Sequence, residues 1–176
     1  MLQVLRRLRR IWIRQVGLKR RYHTWRAKLI VARFGEGGRV NHHSVFTQNT
    51  YVGDHANFNG MTIAGNGKVT IGRYFHSGRD CHMITSFHNY DHGSHIPYGP
   101  GEDIDKDIEI GDFVWFGDRV IVLGGACIGE GAIVQAGSVV VGDIPALAIA
   151  GGHPARAFKY RDREHFEDLK NKGLFF

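Results

Sequence analysis

Between residues 110 and 143 an apolar side chain returns at every sixth position: Ile110, Phe116, Val122, Ile128, Val134 and Val140. Four places after each comes a small or β-branched residue, at Val114, Val120, Ala126, Ala132 and Ser138, and glycine often follows the first position, at Gly111, Gly117 and Gly129. A helix repeats every 3.6 residues and a strand every two, so neither alone generates a strict six. A solenoid does, if each coil is built from three short strands and each strand turns one apolar residue inward onto its equivalent in the next coil.

The same spacing runs upstream through Val40, Phe46, Val52 and Phe58. It slips at "GMTIAGNGKV" and resumes at Ile71, Ser77 and Met83. Residues 86–107, "SFHNYDHGSHIPYGPGEDIDKD", then break the pattern with Gly, Pro, Asp and His. Such an excursion from a compact repeat is expected to be an external loop with a functional role. The coils are expected to end near "GDIPALAIAGGHPARAF", where Pro145 and Pro154 stop strand pairing. Beyond them "DREHFEDLKNK" reads as a short helix, with Asp162 at its start and Gly173 past its end. The organisation expected is a basic helical segment over 1–35, a repeat domain over 36–161 with its external loop, and a C-terminal helix and tail over 162–176.

Charge divides the chain unevenly. Residues 1–35 hold 11 of the 23 Lys and Arg and none of the 17 acids, so the remainder carries 12 basic and 17 acidic residues, a net of −5. Within the basic segment Leu5, Leu8, Trp12 and Val16 follow helical spacing, with Arg6, Arg10 and Arg14 on another side. An amphipathic helix is expected, single or broken in two at Gly17. Two roles stay open for it: a cap on the open end of the solenoid, or a contact with an anionic membrane surface.

Two cysteines, Cys81 and Cys127, form no disulfide framework. Both fall in the repeat region and are expected to be buried or partly buried free thiols in a reducing compartment. There is no apolar run of membrane-spanning length and no secretory h-region. The expected location is cytoplasmic or peripheral at the inner face of the membrane. Apart from its basic start, the chain carries no nucleic-acid recognition motif, and no nucleic-acid partner is expected.

Several stretches bring the pattern close to a known family. "ANFN" (56–59), "VTIG" (69–72), "HNYD" (88–91), "IGDFVWFGDRV" (110–120), "GAIVQAGSVVVGDIP" (131–145) and "AGGHPAR" (150–156) resemble the hexapeptide-repeat acetyltransferases. The likeness is to their galactoside, maltose and xenobiotic O-acetyltransferase branch, and covers about residues 40–161. It implies an all-β fold, a left-handed parallel β-helix. It also implies acetyl-CoA as cosubstrate, a homotrimer with active sites between subunits, and direct transfer without an acyl-enzyme.

The resemblance makes His88 the catalytic base, since it stands 17 residues after Ile71, as the family histidine does. The chemistry asks for such a group: a sugar hydroxyl is a poor nucleophile at neutral pH, and an imidazole can take its proton as it attacks a thioester. His92 and His95 are local competitors, and His82 a weaker one. The four histidines also admit a metal reading, because imidazole is a common zinc ligand. Asn-Tyr-Asp followed by Gly93 suits a turn better than a helical ligand pair, and no metal is expected.

The same likeness assigns Asn57 to the carbohydrate acceptor, which an amide can meet as donor and acceptor. It places Trp115 beside the histidine and the thioester end, and lets the backbone at Asp118 and Ala136 line the pantetheine groove. Arg156, Lys159 and Arg161 follow the last coil and could pair with coenzyme A phosphates. Trp115 could equally be an aromatic packed on the coil surface, and Asn57 a turn-stabilising residue.

Two departures bear on function. Relatives often have Thr-Lys where this chain has Val141-Gly142. The helical segment that shapes the acceptor pocket of the galactoside and maltose enzymes is replaced by the basic 1–35 segment. The loop looks more like those of acetyltransferases for surface polysaccharide. The function expected is therefore O-acetylation of a glycan or glycan precursor. N-acetylation of an amino-sugar nucleotide, acetylation of a drug, and a non-catalytic binding scaffold are the alternatives.

Overall fold

A computed structural model describes the backbone of residues 2–176 and the side chains of residues 15–176. The positions Leu5, Leu8, Trp12, Arg6, Arg10 and Arg14 lie outside the described side chains. The body is a left-handed parallel β-helix of about six turns. Three faces of parallel strands enclose the core.

The first face stacks Arg33–Phe34, Thr50–Val52, Val69–Ile71, Ile108–Ile110 and Cys127–Ile128. The second stacks Arg39–Val40, Asn57–Phe58, His76–Ser77, Trp115–Phe116, Ile133–Val134 and Ala148–Gly152, and Ala155–Tyr160 closes it as an antiparallel edge. The third stacks Met61–Ala64, Cys81–Ile84, Ile121–Leu123 and Val139–Val140.

The expected six-residue ladder is the core. Val52, Ile71, Ile110 and Ile128 lie in one register column, and Ile63, Met83, Val122 and Val140 in another; all are buried. Phe46, Phe58, Phe75 and Phe116 form an aromatic line along the axis, with ring centroids 5.3, 5.4 and 5.1 Å apart. That spacing is in the favourable range for tilted and edge-to-face rings. The slip after Phe58 has a local cause. Met61–Ala64 is a longer strand, and Gly65 turns with φ +99° where a Cβ would stand 2.4 Å from the Thr85 hydroxyl.

The glycine and aspartate of the repeat hold the corners. A Cβ at Gly117 would lie 2.5 Å from the Ala136 backbone nitrogen of the next coil. The carboxylates accept backbone N–H groups from the preceding coil: Asp54 from Glu36, Asp107 from Lys68, Asp112 from Arg73, Asp118 from Arg79. Each satisfies a donor that the turn would otherwise leave without a partner.

The N-terminal helix runs unbroken from Leu2 to Ile30, passing through Gly17 where a break was one expectation. Nothing lies within 4 Å of a Cβ built at Gly17, so a glycine there answers no packing demand. Its Ala27, and Val31 just past its end, join the core, and the Thr24 hydroxyl accepts from the Val40 N–H at 2.9 Å. The helix thus covers the first coil. The C-terminal helix, Arg163–Asn171, starts at Asp162, whose carboxylate accepts from the His165 N–H at 2.9 Å. Residues 174–176 then lie along the second face: Phe175 packs on Tyr74 and Phe113 at 4.8 and 4.9 Å, and His76 Nε2 donates to the Phe176 carbonyl at 3.1 Å. Of the two free thiols Cys81 is buried, but Cys127 is exposed, because its place in the strand turns it outward beside the inward Ile128.

Candidate active site

The excursion over 86–107 is anchored by a hairpin. Ser86–His88 pairs antiparallel with Asp103–Asp105, so His88 stands opposite Asp103, and Ser86 opposite Asp105. The hairpin leaves the solenoid after the third face and returns before the first, which puts its tip outside the stack. The Glu102 carboxylate accepts from the Ser94 N–H at 2.8 Å, and Asn89 Oδ1 from the His92 N–H at 3.1 Å, fixing the loop on its own stem.

His88 is held from two sides. Its Nδ1 lies 2.6 Å from Asp103 Oδ1, and a carboxylate only accepts, so Nδ1 carries the proton. Its ring stacks on Tyr98, with centroids 3.7 Å apart and planes 11° from parallel. In the neutral ring Nε2 is then the atom with a free lone pair. The imidazole is about half exposed, at the wall of a cavity of about 310 Å³ shared with Phe87, His92, Lys106, Leu123 and Val141. A positioned imidazole with an orienting carboxylate at an open cavity is the arrangement that proton abstraction requires.

The competing histidines divide. His92 lines the same cavity. His95 Nδ1 lies 2.9 Å from the Ser94 hydroxyl, within the loop. His82 sits in a separate polar cleft of about 520 Å³ with His42, His43, Arg79 and Asp80. Among the described residues no three His, Cys, Asp or Glu side chains are grouped to hold a metal ion.

Asn57 and Trp115 belong to another face. Asn57 pairs with His76, and His76 with Trp115, so the three form one outward row on the second face. Asn57 Oδ1 accepts from Asn41 Nδ2 at 2.6 Å, which leaves its amide nitrogen for a further partner. It lines a cavity of about 380 Å³ with His55, His76 and Phe175. Trp115 is exposed and lines an apolar groove of about 340 Å³ with Phe113, Phe166 and the chain end. Neither residue lines the cavity that His88 borders.

Asp118 holds a coil corner through its carboxylate, and Ala136 is exposed directly against Gly117. Arg156 and Lys159 stand exposed on the edge strand that closes the second face. Arg161 is half-buried; it donates to the Gly131 carbonyl at 3.2 Å and lies 5.0 Å over the Phe166 ring. Burial pushes its guanidinium pKa down from the usual value.

Asp103 and Tyr98, which hold His88, are not singled out by hexad spacing. The signal present for Asp103 is the alternation in "DIDKDIEI", which marks a strand leading out of the loop.

The bacterial transferase hexapeptide family (six repeats) matches residues 107–142. A Schizosaccharomyces pombe protein that carries an acetyltransferase name is 36% identical over 96 residues, 54% of this chain and 45% of that protein. The chain therefore spans less than half the length of that relative. Among solved structures, a hexapeptide-repeat acetyltransferase of Vibrio cholerae, complexed with acetyl coenzyme A, is 30% identical with a TM-score of 0.68, over 77% of this chain and 74% of that one. A maltose O-acetyltransferase of Clostridium difficile is 28% identical with a TM-score of 0.68, over 77% and 73%.

Proposed function

The chain belongs to the bacterial hexapeptide-repeat transferase family, and on that premise we propose that it is an acetyl-CoA-dependent O-acetyltransferase acting on a sugar hydroxyl of a glycan or glycan precursor. The observation that carries this reading is the contact between His88 Nδ1 and Asp103 at the mouth of an open cavity. A hydroxyl nucleophile needs such a base, whereas a free amine needs it less.

His88 Nε2 takes the proton of the acceptor hydroxyl as that oxygen bonds to the thioester carbonyl carbon. Asp103 stabilises the imidazolium that forms and keeps the ring in the reactive tautomer. His88 then returns the proton to the sulfur as the carbon–sulfur bond breaks. Asn57 orients the acceptor through its amide nitrogen. Trp115 borders the thioester end, the backbone at Asp118 and Ala136 lines the pantetheine groove, and Arg156 and Lys159 meet the phosphates. Arg161 supports them from the helix side, since part of its guanidinium is already bonded.

The working form is a homotrimer with sites between subunits. Support comes from the separation of His88 from Asn57 and Trp115 onto different faces of one chain, and from the exposure of Trp115. A site that uses all three draws them from two copies. The test is thiol release from acetyl-CoA across monosaccharides, nucleotide sugars and extracted glycans. Release with a hydroxyl acceptor that vanishes in His88→Ala is expected. Release confined to amino sugars and surviving His88→Ala would replace O-transfer with N-transfer.

A further inference from the structure

The N-terminal helix has two apolar faces, and the solenoid uses one. At about 100° per residue, Thr24, Ala27 and Val31 point the same way, toward the first coil. Leu18, Tyr22, Trp25 and Leu29 are centred about 160° away on the same geometry. They are exposed by 57, 54, 56 and 67%. They form one stripe at i, i+4, i+7, i+11, and in the sequence Val4, Leu8 and Ile11 continue that spacing. A monomer rarely leaves such a stripe bare without a partner for it.

The flanks say what the partner is. Arg21 and Lys28 stand seven residues apart along one border of the stripe, and Lys19 and Arg26 on the other; in the sequence Arg14 precedes Arg21 by the same seven. No acid occurs in residues 1–35. A second copy of this helix would bring like charges together at both borders, which opposes self-pairing. Arg20, Arg21, Lys28 and Arg39 also converge beside Trp25 on an open cleft of about 360 Å³ between the helix and the first coil. Apolar centre, basic borders and interfacial Tyr and Trp make the pattern of a helix lying in a lipid headgroup region. Among the described residues no helix is long and apolar enough to cross a membrane.

We propose that the stripe Leu18–Tyr22–Trp25–Leu29, with its basic borders and the cleft beside Trp25, docks the enzyme flat on an anionic lipid surface while the opposite side of the same helix caps the solenoid. The two roles open to the basic segment are thus carried together by different sides of one helix. The inference stands apart from the chemistry at His88, and neither depends on the other.

The test is flotation of the full chain with vesicles of phosphatidylcholine alone and with about a third phosphatidylglycerol, a composition chosen to carry the anionic charge. The wild type is expected to float only with the anionic vesicles and to be released as salt rises and the Debye length falls from about 10 Å at 0.1 M to about 3 Å at 1 M. Leu18→Glu with Leu29→Glu is expected to cut binding by more than about tenfold, with melting temperature and oligomer mass unchanged. Lys28→Gln alone is expected to cut it roughly fivefold. Absence of wild-type binding to anionic vesicles, or undiminished binding in both variants, overturns the proposal. A changed oligomer mass in the double variant overturns it too, by assigning the stripe to a second copy.

Discussion

His88 and Asp103 face each other across the two strands of the hairpin, Nδ1 to Oδ1 at 2.6 Å. The contact is a cross-strand pair, so backbone register sets it rather than chance of side-chain reach. Replacing His88 by Ala is expected to lower kcat by 10²–10⁴-fold, the usual worth of a general base, with the Kd for acetyl-CoA nearly unchanged. Asp103→Asn is expected to lower kcat by roughly 10–100-fold through loss of orientation. Steady-state thiol release with calorimetric titration of acetyl-CoA separates the two quantities. A His88→Ala enzyme at more than about a tenth of the wild-type rate would place the base elsewhere.

Asn57 and His88 give a test of the shared site. Asn57→Ala and His88→Ala chains are each expected to be nearly inactive. Unfolded together in equal amounts and refolded, they should regain up to roughly a quarter of the wild-type rate, because random assortment places an intact pair at about one interface in four. No recovery in mixed trimers, verified by mass, would mean that both residues act within one chain.

Coil corners differ in how tightly they stack. A Cβ at Gly117 meets the Ala136 backbone nitrogen at 2.5 Å, while one at Gly142 meets nothing within 4 Å. Gly117→Ala is therefore expected to destabilise by about 1–3 kcal/mol, and Gly142→Ala to leave stability within about 0.5 kcal/mol. Denaturant unfolding reads both; equal midpoints would contradict the close-stacking account.

Burial pushes the Cys81 thiol up to about 11, from an ordinary value of 9.0. Between those pH values the unfolded chain has released the proton that the folded chain retains. Stability therefore falls as pH rises through this window, by at most about 2–3 kcal/mol from this group. Cys81→Ala is expected to show a shallower decline than the wild type in unfolding measured at pH 8.5 and 10.5. Parallel declines would remove Cys81 as a cause. In the folded protein Cys127, which is exposed, is expected to react with Ellman's reagent while Cys81 does not.

The solenoid could be read from spacing because its core repeats. Each of Ile71, Ile110 and Ile128 faces the same surroundings, so one rule places all of them. The place of His88 at the start of the excursion was legible in the broken spacing. Asp103 and Tyr98 were not, since their contact with His88 spans a loop whose closure follows no period. The second side of the N-terminal helix was hidden for another reason. Leu5, Leu8, Trp12 and Val16 suggest one apolar side. Which apolar residues a helix buries depends on where it docks, and only the packing of Ala27 and Val31 fixes that.

The hairpin that carries His88 hangs from the stack by its two ends and contributes no rung to it. Packing constraint is therefore unevenly shared along the chain. The interior rungs tolerate little, because each is pressed between two others. The outer loop over 89–101 can lengthen, shorten or exchange residues without removing a backbone bond between coils, whereas Ser86, which accepts from the Asn66 N–H at 2.8 Å, ties the stem to the stack. Exchange of that outer loop alone would replace Asn89, Tyr90, Asp91 and His92 in the wall of the cavity while the stacked core keeps its packing.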